Sequence, residues 1–199
     1  MDRFEIRLSG AGGQGVITTG IMLAEAAVGQ GLNAVQTQAY GPEARGGASR
    51  AEVVISGAGI DYPKVECPDI VLTLSQQAYE LYGRSAPEGA LVVYDSDLVH
   101  PGAADGPATR RGLPLTALAR QATGRAVTAS TLAAAVVGAL SGVLTRDALR
   151  QAVRSNVPQG TVDMNLKALE EGFRAAEALG GLTGRAAPAR GSTTRRGEG

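Results

Sequence analysis

The sequence predicts an α/β fold: a mixed, mostly parallel sheet flanked by helices in three layers, with a helical C-terminal part. Three observations carry this. Short apolar runs alternate with helical periodicities over the first half of the chain. A glycine-rich segment, Gly10-Ala-Gly-Gly-Gln-Gly15, joins the first apolar run to the first helical one. From Leu115 onward the pattern is helical. With 199 residues, 44% of them hydrophobic, the chain suits one domain with a well-formed core.

Phe4 to Ser9, with Phe4, Ile6 and Leu8 alternating, reads as a buried parallel strand. Val16 to Val28 reads as its helix, with Ile17, Ile21, Leu23 and Ala24 toward the sheet, and Gly29 and Gly31 stop it. Asn33 to Ala39 is a second strand, and Tyr40 to Gly47 a loop. In Ser49 to Ser56, Ala51, Val53 and Ile55 alternate with Arg50, Glu52 and Val54. The connection before it is shorter than the dozen residues of a crossover helix, so this strand is expected to be antiparallel or on an edge. A buried strand at Asp69–Leu74, a helix at Gln76–Tyr82 and a strand at Ala90–Tyr94 follow. His100 to Leu113, rich in Gly, Pro and Ala, reads as a loop. Helices are expected at Leu115–Ala122, Thr131–Val143, Arg146–Ser155 and Asp163–Leu179. Residues 1–183 form the expected domain. Residues 184–199, with almost no apolar content, form an expected disordered tail.

Composition excludes several functions. Net charge is zero and the isoelectric point is near 6.6, so neither nucleic acid nor an anionic membrane is favoured. Two Phe, five Tyr and no Trp leave no stacking platform for single strands. One cysteine, Cys67, excludes an internal disulfide and a self-contained four-thiolate iron–sulfur cluster. One histidine, His100, excludes a His-rich zinc site. Cysteine usage and the lack of a signal-peptide pattern point to the cytoplasm. The longest apolar stretch, Leu132 to Leu140, is far short of the ~20 residues of a membrane span. Cys67, beside Pro68, reads as a buried or idle thiol. Asp69 reads as positioning a strand start, and Asp95 and Asp97 as within reach of the rim at the carboxyl ends of the strands.

The first glycine segment fits Gly-x-Gly-x-x-Gly at Gly10, Gly12 and Gly15. A dinucleotide site also calls for an acid about 20 residues further on for the ribose hydroxyls. No acidic residue lies between Glu25 and Glu43. Nor is this a P-loop, because Val16 and Ile17 stand where Lys and Ser/Thr are needed. What remains is a loop whose N–H groups suit a phosphate, a carboxylate or a partner's backbone, or a tight turn that serves packing alone. Gln14, a large polar side chain among glycines, needs a partner or solvent. The second segment, Tyr40 to Gly47, follows the second strand and carries Glu43 and Arg45 between Gly41 and Gly46. It is expected to share a rim with the first loop, as a binding element or as a structured turn holding a surface ion pair.

These segments resemble, in order, the gamma subunit of the 2-oxoacid:ferredoxin oxidoreductases. The resemblance rests on Gly10–Gly15, Leu23-Ala-Glu-Ala-Ala27, Tyr40-Gly-Pro-Glu-Ala-Arg-Gly-Gly47, Ser49–Ser56, Tyr62-Pro63, Pro68-Asp69, Leu74-Ser-Gln-Gln-Ala-Tyr79 and Asn165-Leu-Lys-Ala-Leu-Glu170. It covers roughly residues 4 to 180 and is greatest to the 2-oxoglutarate enzymes. One departure is Thr131-Leu132-Ala133, where the family commonly has an asparagine, so no role of that asparagine carries over. The resemblance implies a Rossmann-like fold and a subunit of a complex that oxidatively decarboxylates a 2-oxoacid to an acyl-CoA and reduces ferredoxin. Thiamine diphosphate, magnesium and iron–sulfur clusters would lie on partners: thiamine-binding alpha and beta subunits and a ferredoxin-like delta subunit. This chain would bind no cofactor alone, contribute no catalytic residue, and meet coenzyme A at a subunit interface. Gly10, Gly12, Gly13, Gln14, Gly15, Tyr40, Gly41, Glu43, Arg45 and Gly46 are the residues expected to line that contact. When isolated, the chain could pair with itself. The alternatives are a stand-alone NAD(P)-binding oxidoreductase and a purely structural assembly subunit.

Overall fold

The structure, a computed structural model, describes residues 1, 3–39, 48–103 and 105–180. Its elements are β1 (Phe4–Gly10), α1 (Val16–Gly29), β2 (Asn33–Ala39), β3 (Ser49–Ser56), β4 (Ile70–Thr73), α2 (Gln76–Ala78), β5 (Leu91–Asp95), β6 (Thr109–Leu113), α3 (Leu115–Thr123), α4 (Ala129–Ser141), α5 (Arg146–Asn156) and α6 (Val162–Ala178). The six strands form one sheet in the order β2-β3-β1-β4-β5-β6. β1, β4, β5 and β6 are parallel, and β3 runs antiparallel to both β1 and β2. The short connection before β3 thus turns the chain back as expected. β3 nevertheless lies inside the sheet, whose edges are β2 and β6.

The two faces of the sheet are unequal. Ile6, Leu8, Val53, Ile55, Leu72 and Val93 join α1, α3, α4, α5 and α6 in the main core. The opposite face carries a smaller cluster of Val71, Val92, Tyr79, Ala86, Ala90, Val99 and Ala108. Helix α4 is buried almost all round, from Ala129 to Gly138. Its small side chains let α6 approach closely, and Gly172 of α6 faces the Leu132 carbonyl directly.

Three expectations need correction here. The fully buried side of α1, shared between the sheet and the helices α4 and α5, is Val16, Thr19, Gly20, Met22, Leu23, Ala26 and Ala27; of the residues expected to face the sheet, Leu23 is buried, Ile17 and Ala24 are partly buried against the main core, and Ile21 is partly exposed. This helix is apolar around most of its circumference, so periodicity could not choose a face. Gly20 decides it, because a Cβ there would lie 3.1 Å from Ala51 Cβ of β3. The Gln76–Tyr82 helix is one short α-helical turn, capped by Ser75, running into a π-helical turn from Tyr79 to Gly83. The loop expected up to Leu113 ends in β6, an edge strand whose only buried residue is Leu113. Its Thr-Arg-Arg-Gly run carries no apolar alternation to announce a strand.

A buried polar cluster fixes β6. The Tyr79 hydroxyl donates to the Asp105 carboxylate and accepts from Arg110 Nε at 2.8 Å. The same guanidinium donates to the carbonyls of Gly106, Ala108 and Arg84. Burial, with the Asp105 hydrogen bond second, pushes Tyr79 from 10.0 up to about 12, and the tyrosine's hydrogen bond lowers Asp105. The protonated phenol therefore favours the fold fully below pH 10, and that contribution is lost as pH rises through about 12. Ultraviolet titration of the phenolates is expected to show one late ionising tyrosine, absent in Tyr79→Phe. An unchanged titration in the variant would contradict the cluster.

Other polar positions are structural. Asp95 is fully buried and accepts from Thr116 N at 3.0 Å, Thr116 Oγ1 at 2.6 Å and Asp97 N at 3.2 Å. It ties the start of α3 to β5 rather than reaching the rim. Asp69 does position a strand, accepting Glu5 N at 2.7 Å. Cys67 is exposed, not buried. The expected boundary at 183 and the tail lie outside the described residues.

Candidate functional site

β1 ends at Gly10 at the carboxyl edge of the sheet, and residues 11–15 lead directly into α1. Each glycine here answers a different demand. A Cβ on Gly10 would lie 2.7 Å from Gln14 Oε1 and 2.9 Å from Val16 Cγ2. Gly13 and Gly15 have φ of 86° and 73°, and a Cβ on Gly15 would also lie 2.6 Å from Ser130 Cβ of α4. Gly12 differs: its φ is not positive, and a Cβ there would meet nothing within 4 Å. Packing does not require that residue to be glycine.

The space beyond Gly12 is a cavity of about 650 Å³. Its walls are the glycine loop, the first turn of α1, Ser49 at the start of β3, the turn and first residues around the start of α4, and the α5–α6 connection. Three helices therefore begin at it: α1, α4 and α6. None of the three has a side-chain N-cap, and α1 and α4 have no acid in the first turn. Their positive ends favour an anion. Among the described lining residues none is ionisable, and the polar contributions come from hydroxyls and amides. Thr131 Oγ1 donates to Asn165 Oδ1 at 2.7 Å, and Asn165 Nδ2 donates to the Thr161 carbonyl at 3.0 Å. Val16, Ile17, Met22, Val157 and Met164 make the rest apolar, and Val127, 72% exposed, stands at the mouth. Such a site can bind an anionic group attached to a partly apolar chain. Among the described lining residues no thiol, amine, imidazole or carboxyl group is present to act as general acid or base or to activate the hydroxyls.

The first-loop candidates sort clearly. Gly12, Gly13 and Gly15 line the cavity, Gly10 supports the loop from behind, and Gln14 is absent from the lining. Tyr40, Gly41, Glu43, Arg45 and Gly46 of the second loop lie outside the described residues. The strand ends that flank that segment are at the same rim: Ser49 pairs with Gly10 and Arg50 with Ala39. Ser130, Thr131 and Asn165 are not legible as site residues, because they lie more than a hundred positions from the loop; Asn165 opens a segment of the family pattern and Thr131 stands in the one departure from it, but neither carries a local signal that places it at this cavity.

The sequence profile of the pyruvate ferredoxin/flavodoxin oxidoreductase family matches residues 5–175. The chain belongs to that family. It is 42% identical to the 2-oxoglutarate synthase subunit KorC of Methanocaldococcus jannaschii, over 89% of this chain and 96% of that one. The solved gamma subunit of a keto/oxoacid ferredoxin oxidoreductase from Geobacter sulfurreducens superimposes with a TM-score of 0.81 at 40% identity, covering 89% of this chain and 98% of that one. A 2-oxoglutarate:ferredoxin oxidoreductase from Magnetococcus marinus shares the fold, with a TM-score of 0.82 at 22% identity; the match covers 96% of this chain and 33% of that one. Within the pyruvate ferredoxin/flavodoxin oxidoreductase family, the chain is thus a gamma-type subunit of a 2-oxoacid:ferredoxin oxidoreductase, an oxidoreductase complex of several subunits. The stand-alone dinucleotide-binding reading gives way to this membership. Among the described residues no helix is long and apolar enough to cross a membrane.

Proposed function

We propose that the chain serves a complex that oxidatively decarboxylates 2-oxoglutarate to its acyl-CoA while reducing ferredoxin, and that its own task is to hold part of coenzyme A and to dock the thiamine-binding subunits. The substrate assignment is supported by the near full-length match to KorC, a 2-oxoglutarate synthase subunit. The coenzyme A assignment is carried by Gly12, a glycine that packing does not demand, on the wall of a cavity where three helices begin. A phosphate would lie against the N–H groups at the start of α1, with the apolar wall left for the pantetheine arm.

Thiamine diphosphate, magnesium and iron–sulfur clusters belong to partners, the alpha, beta and delta subunits. One cysteine does not fit a four-thiolate cluster. Among the described residues no three His, Cys, Asp or Glu side chains gather to hold a metal.

Gly12→Val in the assembled complex is expected to raise KM for coenzyme A about tenfold, the effect of losing roughly 1.4 kcal/mol of binding, with kcat and subunit assembly retained. An unchanged KM in an intact complex would overturn the coenzyme A role and indicate a purely structural subunit. A tagged chain that never carries thiamine-binding subunits from its native cell would overturn the docking role.

A further inference from the structure

We infer that Gln14 is a positioning residue: its side chain does not touch the ligand but holds the glycine loop in the one arrangement that presents Gly12 and Gly13 to the cavity. The inference rests on the coenzyme A reading of that cavity. Of residues 11–15, Gln14 alone is missing from the cavity wall. Its side-chain carbonyl accepts Ala11 N at 2.7 Å, closing the loop on itself beside the Gln14 N to Ala11 carbonyl bond of 3.2 Å. Its side-chain amide nitrogen donates to the Leu74 carbonyl at 2.7 Å. Leu74 is in turn anchored, its N–H donating to the Ser9 carbonyl at 2.9 Å. The loop is thereby bolted to the carboxyl end of β4, the neighbour of β1, by a single side chain that uses both ends of its amide. Gly10 completes the device, because a Cβ there would lie 2.7 Å from the amide oxygen and push it away. Gly10 and Gln14 are one unit, and the glycines between them are free to face outward. Only an amide of this length meets the demand, since a donor and an acceptor are needed at once.

Gln14→Met keeps the length and the neutrality and removes both bonds. In the assembled complex it is expected to raise KM for coenzyme A about tenfold, with kcat and KM for the 2-oxoacid unchanged and the subunits still assembled. The expectation follows from the loss of both side-chain bonds that hold the loop: the arrangement that presents Gly12 and Gly13 becomes a minor one, about one-tenth populated, and the apparent affinity falls by that fraction. A packing role alone would lower the melting temperature and leave KM for coenzyme A as it was. That result, or an equal loss in KM for both substrates, would overturn the inference. Gly12→Val measured alongside separates the two readings. A raised KM in Gly12→Val with none in Gln14→Met refutes the positioning role alone, and no change in either variant refutes the coenzyme A site itself.

Discussion

Gly172→Ala is expected to destabilise the chain by about 2–3 kcal/mol, at the upper end of the cost of overpacking a close-packed core. The direction of the effect is the informative part. Alanine in the interior of a helix is ordinarily better than glycine by about 1 kcal/mol, so local propensity predicts a gain. Here the new Cβ would lie 2.4 Å from the Leu132 carbonyl oxygen and 2.6 Å from Ala135 Cβ. Both obstacles belong to the backbone or the first carbon of α4, so no flexible side-chain tip can swing away. The helices must separate, and Phe173, Leu169 and Ala176, all buried in the same core, lose contact with them. For a chain of this size the melting temperature should fall by roughly 5–10 °C. Thermal unfolding of the purified protein checks this; a melting temperature at or above that of the parent would show that the α4–α6 spacing relaxes at little cost.

Glu5→Ala is expected to cost about 3 kcal/mol, the lower end of the range for breaking a buried, paired charge. Glu5 is 1% exposed although it sits on β1, on the face away from the main helical layer. Its carboxylate accepts from Arg3 Nε at 2.6 Å and from the backbone N–H groups of Glu66 and Cys67 at 2.9 and 2.8 Å. Arg3 also donates to the carbonyls of Tyr62 and Lys64. One carboxylate thus pins the 62–67 segment across the sheet. Truncation leaves the Glu66 and Cys67 N–H groups and Arg3 Nε without this acceptor, while Glu5→Gln keeps the shape and, with its carbonyl toward the two backbone donors, loses the charge and the acceptor that meets Arg3, so it should cost about half as much. Urea unfolding of both variants checks the pair. A change below about 1 kcal/mol for Glu5→Ala would mean that water enters and satisfies the donors.

The legible part of the fold is the part written in local pattern. β2 and β3 fall where their alternation and flanking turns place them, and α1, α5 and α6 where their periodicity does. β6 was hidden because an edge strand is held by backbone pairing and, here, by Arg110 against Tyr79 and Asp105, none of which needs an apolar side chain. Asp95 shows the same limit in reverse. A carboxylate after a strand reads equally well as a rim residue or as a cap, and only the position of Thr116 decided between them.

What the sequence determined by itself is the α/β order, the existence of a strand–glycine loop–helix entry and, through several motifs in fixed succession, the family. Each is a property of neighbouring residues, where chain geometry leaves few choices. What the tertiary structure decided is how the loop is held and what surrounds it. It separated Gly12 from Gly10, Gly13 and Gly15, turned Gln14 inward as a bolt, and brought Ser130, Thr131 and Asn165 to the same cavity. Those outcomes depend on distances between segments far apart in the chain, set by the packing of α1, α4 and α6, and no local pattern encodes such distances.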